Sequence, residues 1–291
     1  MDEVQKLLDR LDRRLATGDR LSATFARELA AVWRDAERAL RQLLNEAAAA
    51  GAAPGATALR GAVLLDRVRR VLRDAGYDQL VTAAASTAVD ALLTDALKGR
   101  TAREAGMFVQ NGQATMNALR EIATVDLLQR GDEVATALWR SLAQHLFTTR
   151  PQRDILEDLA DALDSDLAHV RTLFDTQVAI FNRQIEATAT ADDGPAQAFL
   201  YSGPVDDRTR DWCLERVGKV FTREEIDAMD NGQLPNAFLT GGGYNCRHVF
   251  MAVESQELKD LAGTGWRAPE YDGDVQRVEQ RKSEKRRKKA A

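Results

Sequence analysis

Ala191-Asp192-Asp193-Gly194-Pro195-Ala196-Gln197-Ala198-Phe199-Leu200-Tyr201 is the stretch across which the chain changes character. Paired Asp followed by Gly-Pro is turn and linker chemistry, and the aromatic and aliphatic run after it has the makeup of a short strand. Upstream, residues 1–190 hold two of the six prolines and are rich in Ala, Leu, Arg and Glu, which favour helix. Downstream, short apolar runs alternate with Gly, Pro and Asn. The reading is a mainly α chain: an elongated helical region over 1–190, a linker at 191–198, a small α+β module over 199–253, and an extended arm with a basic tail over 254–291.

Working back from the linker, Val4, Leu7, Leu8, Leu11 and Leu15 recur at helical spacing with Asp9, Arg10, Asp12 and Arg13 between them, predicting a helix that ends at Gly18. A second helix, capped by Ser22 or Thr24, carries Phe25, Leu29, Val32, Ala36, Leu40 and Leu43 as far as Gly51–Gly55. Further helices are predicted at 57–75, 77–98, 101–130, 132–149 and 151–189, broken at Gly76, Gly99, Gly131 and Pro151. A continuous helix over 151–189 would extend roughly 58 Å at the usual rise per residue. That length points to a rod or open bundle with apolar stripes left for a partner, the alternative being that every stripe is core of a monomeric bundle.

Working forward, Phe199–Tyr201 predicts a strand, Asp207–Val217 a helix with an acidic first turn, and Lys219–Phe221 a second strand. Thr222-Arg-Glu-Glu225 is a capping box opening a helix through Met229. Gly241–Gly243 makes a turn, and Val249–Val253 a buried closing strand. Beyond it come a short helix at Ser255–Leu261 and an arm at Gly263–Asp274 whose Trp266 and Tyr271 would anchor in a neighbour. The basic stretch after the arm reads as disordered, or helical only when bound.

Lys and Arg total 40 against 45 Asp and Glu, a net charge of -5. Gln276–Ala291 carries eight basic residues and two Glu, a net +6, which leaves -11 on the first 275 residues. Arg281, Lys282, Lys285, Arg286, Arg287, Lys288 and Lys289 can neutralise DNA phosphates without reading sequence, dock on an acidic protein surface, or stay solvated. Aromatic residues for base stacking are absent among them. No run approaches about 20 uninterrupted apolar residues, and Met1-Asp-Glu-Val-Gln-Lys lacks the layout of a secretion signal. The expectation is a protein made in a cytoplasm, without membrane contact.

Cys213, Cys246 and His248 supply soft metal donors, with Asp206, Asp207, Asp211 or Glu215 as a fourth. The cysteines are not in Cys-x-x-Cys pairs, so no metal or other cofactor is expected; two buried thiols, or one bridge between them, are the alternatives. His248 with the same carboxylates would also be the group set of a metal-dependent nuclease or processing enzyme. Asp207, Asp211 and Glu215 could share one helix face, but Arg208, Arg210 and Arg216 are equally placed to pair with them. A salt-bridged face is therefore expected, and an enzyme is not indicated. Phosphate-loop, dinucleotide and nucleophile-elbow patterns are missing.

Tyr201-Ser-Gly-Pro-Val-Asp-Asp-Arg-Thr-Arg-Asp-Trp-Cys213, Gly218-Lys-Val-Phe-Thr-Arg-Glu-Glu-Ile226, Asn231-Gly-Gln233 and Gly243-Tyr-Asn-Cys-Arg-His248 follow one another in an order that resembles the C-terminal module of the Mu F-like head morphogenesis proteins, the minor head proteins of tailed bacteriophages. The resemblance covers about 55 residues strongly, and more weakly the helical run from Val170 to Asn182. Family members close the module with Cys-Arg-Cys or Cys-Arg-His; this chain has Cys246-Arg247-His248. The resemblance implies a structural protein of the virion head or head–tail junction, assembled in the bacterial host cytoplasm and oligomeric in the particle. Its partners would be the portal, the major capsid protein or other virion proteins, with a role in head assembly, DNA packaging or DNA delivery. It also marks Asp207, Arg208, Thr209, Arg210, Cys213, Asn245, Cys246, Arg247 and His248 as the module's constellation, holding its fold and presenting a docking face.

Overall fold

The computed structural model describes residues 2–50, 62–98, 102–146, 152–189 and 198–290. Long helices come first: α1 (Asp2–Ala50), α2 (Ala62–Asp74), α3 (Tyr77–Leu97), α4 (Ala102–Leu146) and α5 (Gln152–Ala189). The C-terminal part runs β1 (Ala198–Ser202), α6 (Asp211–Arg216), β2 (Val220–Thr222), α7 (Arg223–Asp227), α8 (Ala237–Thr240), β3 (Val249–Ala252), α9 (Gln256–Lys259) and α10 (Pro269–Ala290). The chain is thus mainly helical with a small sheet near its C-terminal end. The expected linker at 191–198, apart from Ala198, lies outside the described residues, as do the breaks at Gly51–Gly55, Gly99 and Pro151.

Two predicted helix ends do not occur. Residues on both sides of Gly18, including Ser22 and Thr24, belong to α1, a single helix of 49 residues, and α4 runs through Gly131 for 45 residues. A mid-helix glycine costs only about 1 kcal/mol relative to alanine, whereas each fully buried large apolar side chain contributes about 1.5–3 kcal/mol. Leu7 and Leu11 are buried before Gly18, Phe25 and Leu29 after it, so packing outweighs propensity. Gly76 does separate two helices, with the positive φ of 95° that a glycine permits.

The chain divides into two compact units. One comprises residues 20–88 and 118–174 and is all helical. Phe25 stacks on Phe174 with centroids 4.1 Å apart, Trp33 lies against Tyr77 at 5.4 Å, and the Trp33 indole donates to the Leu163 carbonyl at 2.8 Å. Among the described residues, α3 alone has the length and mean hydropathy (1.4) to cross a bilayer, yet its Tyr77, Val81, Ala85 and Ala88 are buried inside the protein.

Gly131 shows why a glycine can sit mid-helix. A Cβ there would lie 2.3 Å from the Tyr77 ring, whose hydroxyl donates to the Leu127 carbonyl at 2.7 Å. Gly131→Ala should therefore destabilise by about 1–3 kcal/mol despite its better helix propensity. A lowered urea midpoint checks this, and a raised one would show that Tyr77 is seated elsewhere.

The other unit comprises residues 1–19, 89–117 and 175–291. Its sheet is antiparallel in the order β2-β1-β3, with Phe199 opposite Phe221 and Ala252, and Leu200 opposite Val220 and Met251. All five residues of β1 are buried, as a central strand covered on both faces requires. The capping box forms as predicted: the Thr222 hydroxyl accepts from Glu225 N–H, and the Glu225 carboxylate accepts from Thr222 N–H.

This unit runs wider than residues 199–253. Val4, Leu7 and Leu11 of α1, and Tyr271, Val275 and Val278 of α10, lie in the same hydrophobic core as the sheet. The first apolar stripe is therefore covered within the unit, and Tyr271 anchors in its own module, not in a neighbour. The tail, too, departs from expectation: Pro269 opens a helix of 22 residues with Glu270 and Asp272 in its first turn. Tyr271, Val275 and Val278 fall on one face of it, and their burial supplies the order that so charged a segment lacks by itself.

Candidate functional site

The constellation residues come together through three short segments. The turn after β1 carries Asp206–Thr209, α6 carries Cys213, and the loop between α8 and β3 carries Asn245–His248. Thr209 is buried, accepts from Asp206 N–H (2.9 Å) and donates to the Pro204 carbonyl (3.1 Å), which fixes the approach to α6. Asp206 accepts from Arg208 N–H at 2.9 Å and pairs with the Arg247 guanidinium. Burial pushes the Asp206 carboxyl up, but Arg247 and the Arg208 amide more than reverse it and hold it below the ordinary aspartate value. Arg210 precedes α6 and reaches across to the loop, donating to the carbonyls of Gly242 (2.9 Å) and Tyr244 (2.5 Å).

The loop itself is bent by residues with positive φ. Asn245 has φ 55°, a left-handed conformation that Asn tolerates, and its N–H donates to the Thr176 hydroxyl at 3.1 Å. At Gly242 an added Cβ would meet Cys213 Sγ at 2.4 Å, so only glycine lets the backbone lie against the sulfur. The Gly242 N–H then donates to Cys246 Sγ at 3.1 Å.

At the centre are Cys213, Cys246 and His248, each no more than 4% exposed. Both cysteines are free, with sulfurs 3.9 Å apart, and His248 Nδ1 is 3.8 Å from Cys246 Sγ. All three donor atoms lie within 4.8 Å of one another. The Tyr201 hydroxyl is 3.5 Å from Cys213 Sγ and 3.6 Å from Cys246 Sγ, and its ring stacks on His248 at 5.3 Å. His248 Nε2 is buried without a hydrogen-bond partner. The hydrogen bond from Cys213, with support from His248 and Arg183, holds the Cys246 thiol well below its ordinary range against the pull of burial. The same pairing, then burial, pushes Cys213 up, and burial first of all pushes Tyr201 up.

Sequence reading passed over Arg183. It lies on α5, is 1% exposed, and donates through Nε to the His248 carbonyl (2.9 Å), through Nη1 to Leu239 (2.9 Å) and through Nη2 to Cys246 (2.6 Å). Tyr201 stood in the quoted motif, but nothing in its spacing announced a seat between two sulfurs.

The acidic residues are not gathered around His248. Asp207 precedes α6, so it does not share a helix face with Asp211 and Glu215. Of the expected partners, Arg216 does pair with Glu215, whereas Asp207 and Asp211 pair with the tail. Arg281 and Lys285 reach Asp207 at 3.2 and 3.3 Å; Lys282 reaches Asp211 at 3.0 Å, and Arg286 pairs with it too. Hydrogen bonds from these cations hold both carboxyls below the ordinary aspartate value. Of the remaining tail cations, Arg287 and Lys288 are exposed, and the side chain of Lys289 lies outside the described residues.

These exposed pairs should be salt-sensitive. Raising ionic strength to about 1 M shortens the screening length to about 3 Å. Amide exchange over residues 281–288 should then quicken, while that around Val275 and Val278 stays slow. Acid should release the same contacts, read as lowered protection relative to the intrinsic exchange rate at each pH: both carboxyls have depressed values when paired, so their contribution is present above the ordinary aspartate range and lost as pH falls through and below it. Equal exchange at low and high salt would contradict the latch.

No family model, curated protein or solved structure matches the chain.

Proposed function

We propose that this chain is a minor head or head–tail junction structural protein of a tailed bacteriophage, associated with the portal or the capsid interior. It acts in head assembly, DNA packaging or DNA delivery, and carries out no reaction of its own. The observation that carries the reading is how the motif residues are used. Thr209 and Arg210 donate to backbone carbonyls, the Asn245 N–H donates to the Thr176 hydroxyl, Arg247 pairs with Asp206, and Arg183 ties the loop from within. Residues whose order resembles the phage module are thus spent on holding one shape, as a docking module needs. The carboxylates a nuclease would gather beside His248 are engaged elsewhere, Asp207 and Asp211 with the tail and Asp206 with Arg247, which supports a structural use over a hydrolytic one.

Two surface features support partner contacts. Ile122 and Val125, one turn apart on α4, are 53% and 59% exposed, apolar area that a capsid or portal subunit would cover. Exposed Arg287 and Lys288 supply positive charge for non-specific contact with packaged DNA. The test is quantitative mass spectrometry of purified particles and of empty proheads. The chain should be present in both at low copy relative to the major capsid protein. Its absence from both would overturn the proposal.

A further inference from the structure

Cys213, Cys246 and His248 have more donor capacity than the polypeptide uses. Two sulfurs and an imidazole nitrogen face one another in a fully buried space, linked only by contacts of 3.8 and 3.9 Å. The second imidazole nitrogen has no hydrogen-bond partner. Buried polar groups are ordinarily well satisfied, and Nδ1, the nitrogen that faces the thiols, is held only by the long 3.8 Å contact to Cys246 Sγ.

We propose that Cys213, Cys246 and His248 bind one zinc ion, with the Tyr201 hydroxyl at the fourth vertex, as a structural centre tying α6 and β1 to the loop before β3. A tetrahedron with Zn–S of about 2.3 Å and Zn–N of about 2.0–2.1 Å has edges of roughly 3.6–3.8 Å. The observed separations of 3.9 Å between sulfurs and 3.8 Å from Cys246 Sγ to His248 Nδ1 are close to two of those edges, and all three donor atoms lie within 4.8 Å of one another. The hydroxyl, 3.5 and 3.6 Å from the two sulfurs, is placed to supply the fourth donor.

Soft thiolates with imidazole select zinc over magnesium or calcium, which take oxygen donors. Charge also balances: two thiolates cancel the dication, the imidazole stays neutral, and the displaced thiol protons leave to solvent. Supporting contacts are in place, since the Gly242 N–H already donates to Cys246 Sγ and Arg183 fixes the carbonyls of both Cys246 and His248. The absence of Cys-x-x-Cys spacing is no obstacle, because the sheet and α6 bring the donors together in place of a knuckle loop. The inference is independent of the phage reading and would hold for any function of the module.

The test uses the full chain purified under reducing conditions and dialysed against metal-free buffer after exposure to zinc chloride. Elemental analysis should find about one zinc per chain, falling to roughly a tenth or less in a Cys213→Ser/Cys246→Ser double variant. Tyr201→Phe should weaken zinc affinity about 10–100-fold. A buried double variant can lose zinc by misfolding, so the wild-type protein loaded with cobalt(II) decides the matter. Tetrahedral visible bands together with thiolate-to-cobalt charge transfer support the site. Reduced, folded wild type that shows neither, or zinc retained at full occupancy in the double variant, overturns it.

Discussion

Arg183→Met is expected to cost about 3–5 kcal/mol of stability, enough to unfold the sheet-bearing unit of a marginally stable protein. The guanidinium is 1% exposed and donates to the carbonyls of His248, Leu239 and Cys246, from a helix to a loop with little regular structure of its own. Methionine fills much of the volume but strips the donor from two buried carbonyls and the part-buried one of Leu239, the buried ones at about 1–3 kcal/mol each before relaxation. Arg183→Lys keeps the charge and loses the planar fork, so it should recover only part of the loss. Urea unfolding followed by fluorescence is the measurement, with Trp212 of the module as reporter. A loss under about 1 kcal/mol for the methionine variant would show that the loop does not depend on this side chain.

The second large effect concerns Arg14 and Glu186, which pair at 2.6 Å with side chains 7% and 1% exposed. Glu186 also accepts from Ala252 N–H at 3.4 Å, so the pair ties α1 to α5 and to the edge of the sheet. Removing one partner of a buried pair strands the other: Arg14→Met or Glu186→Leu alone should cost about 3–5 kcal/mol, and the double variant much less than their sum. Burial pushes the Glu186 carboxyl up, but Arg14, with Arg10 behind it, brings it below the ordinary glutamate value. A depressed folded value means that the contribution is complete above the ordinary glutamate range and lost as pH falls through the folded value. The wild type should therefore lose stability in acid more steeply than the double variant, as parallel urea titrations across that range would reveal. Identical slopes would contradict the assignment.

Much of the fold was legible because local signals agreed with packing. The change of character after the linker, the capping box at Thr222 and Glu225, and the helix predicted over 151–189 each named a real element. Where sequence reasoning failed, a local preference met a larger burial term. Gly18 and Gly131 read as helix ends, yet neither interrupts its helix. The charge density of the last residues hid Tyr271, Val275 and Val278, whose shared face makes α10. The candidate site was legible as a set of residue types; its wiring was not. Arg183 reads as one more solvated cation among Asn182 and Gln184, and only the fold shows it buried beneath the loop. Asp207 and Asp211 were rightly read as salt-bridged, but their partners lie more than 70 residues away, beyond the reach of any spacing rule.

The placement of α1 and α10 in one core bears on how the molecule is made. Val4, Leu7 and Leu11 are translated well before their counterparts at Val275 and Val278. An early oily stripe must therefore be shielded by a chaperone or by transient neighbours while some 250 further residues are added. Closure of the unit then waits for α10 and is governed by long-range loop formation. Slowing or stalling translation in the last helix should leave a nascent chain that is helical but open, and unusually prone to sticking to its siblings.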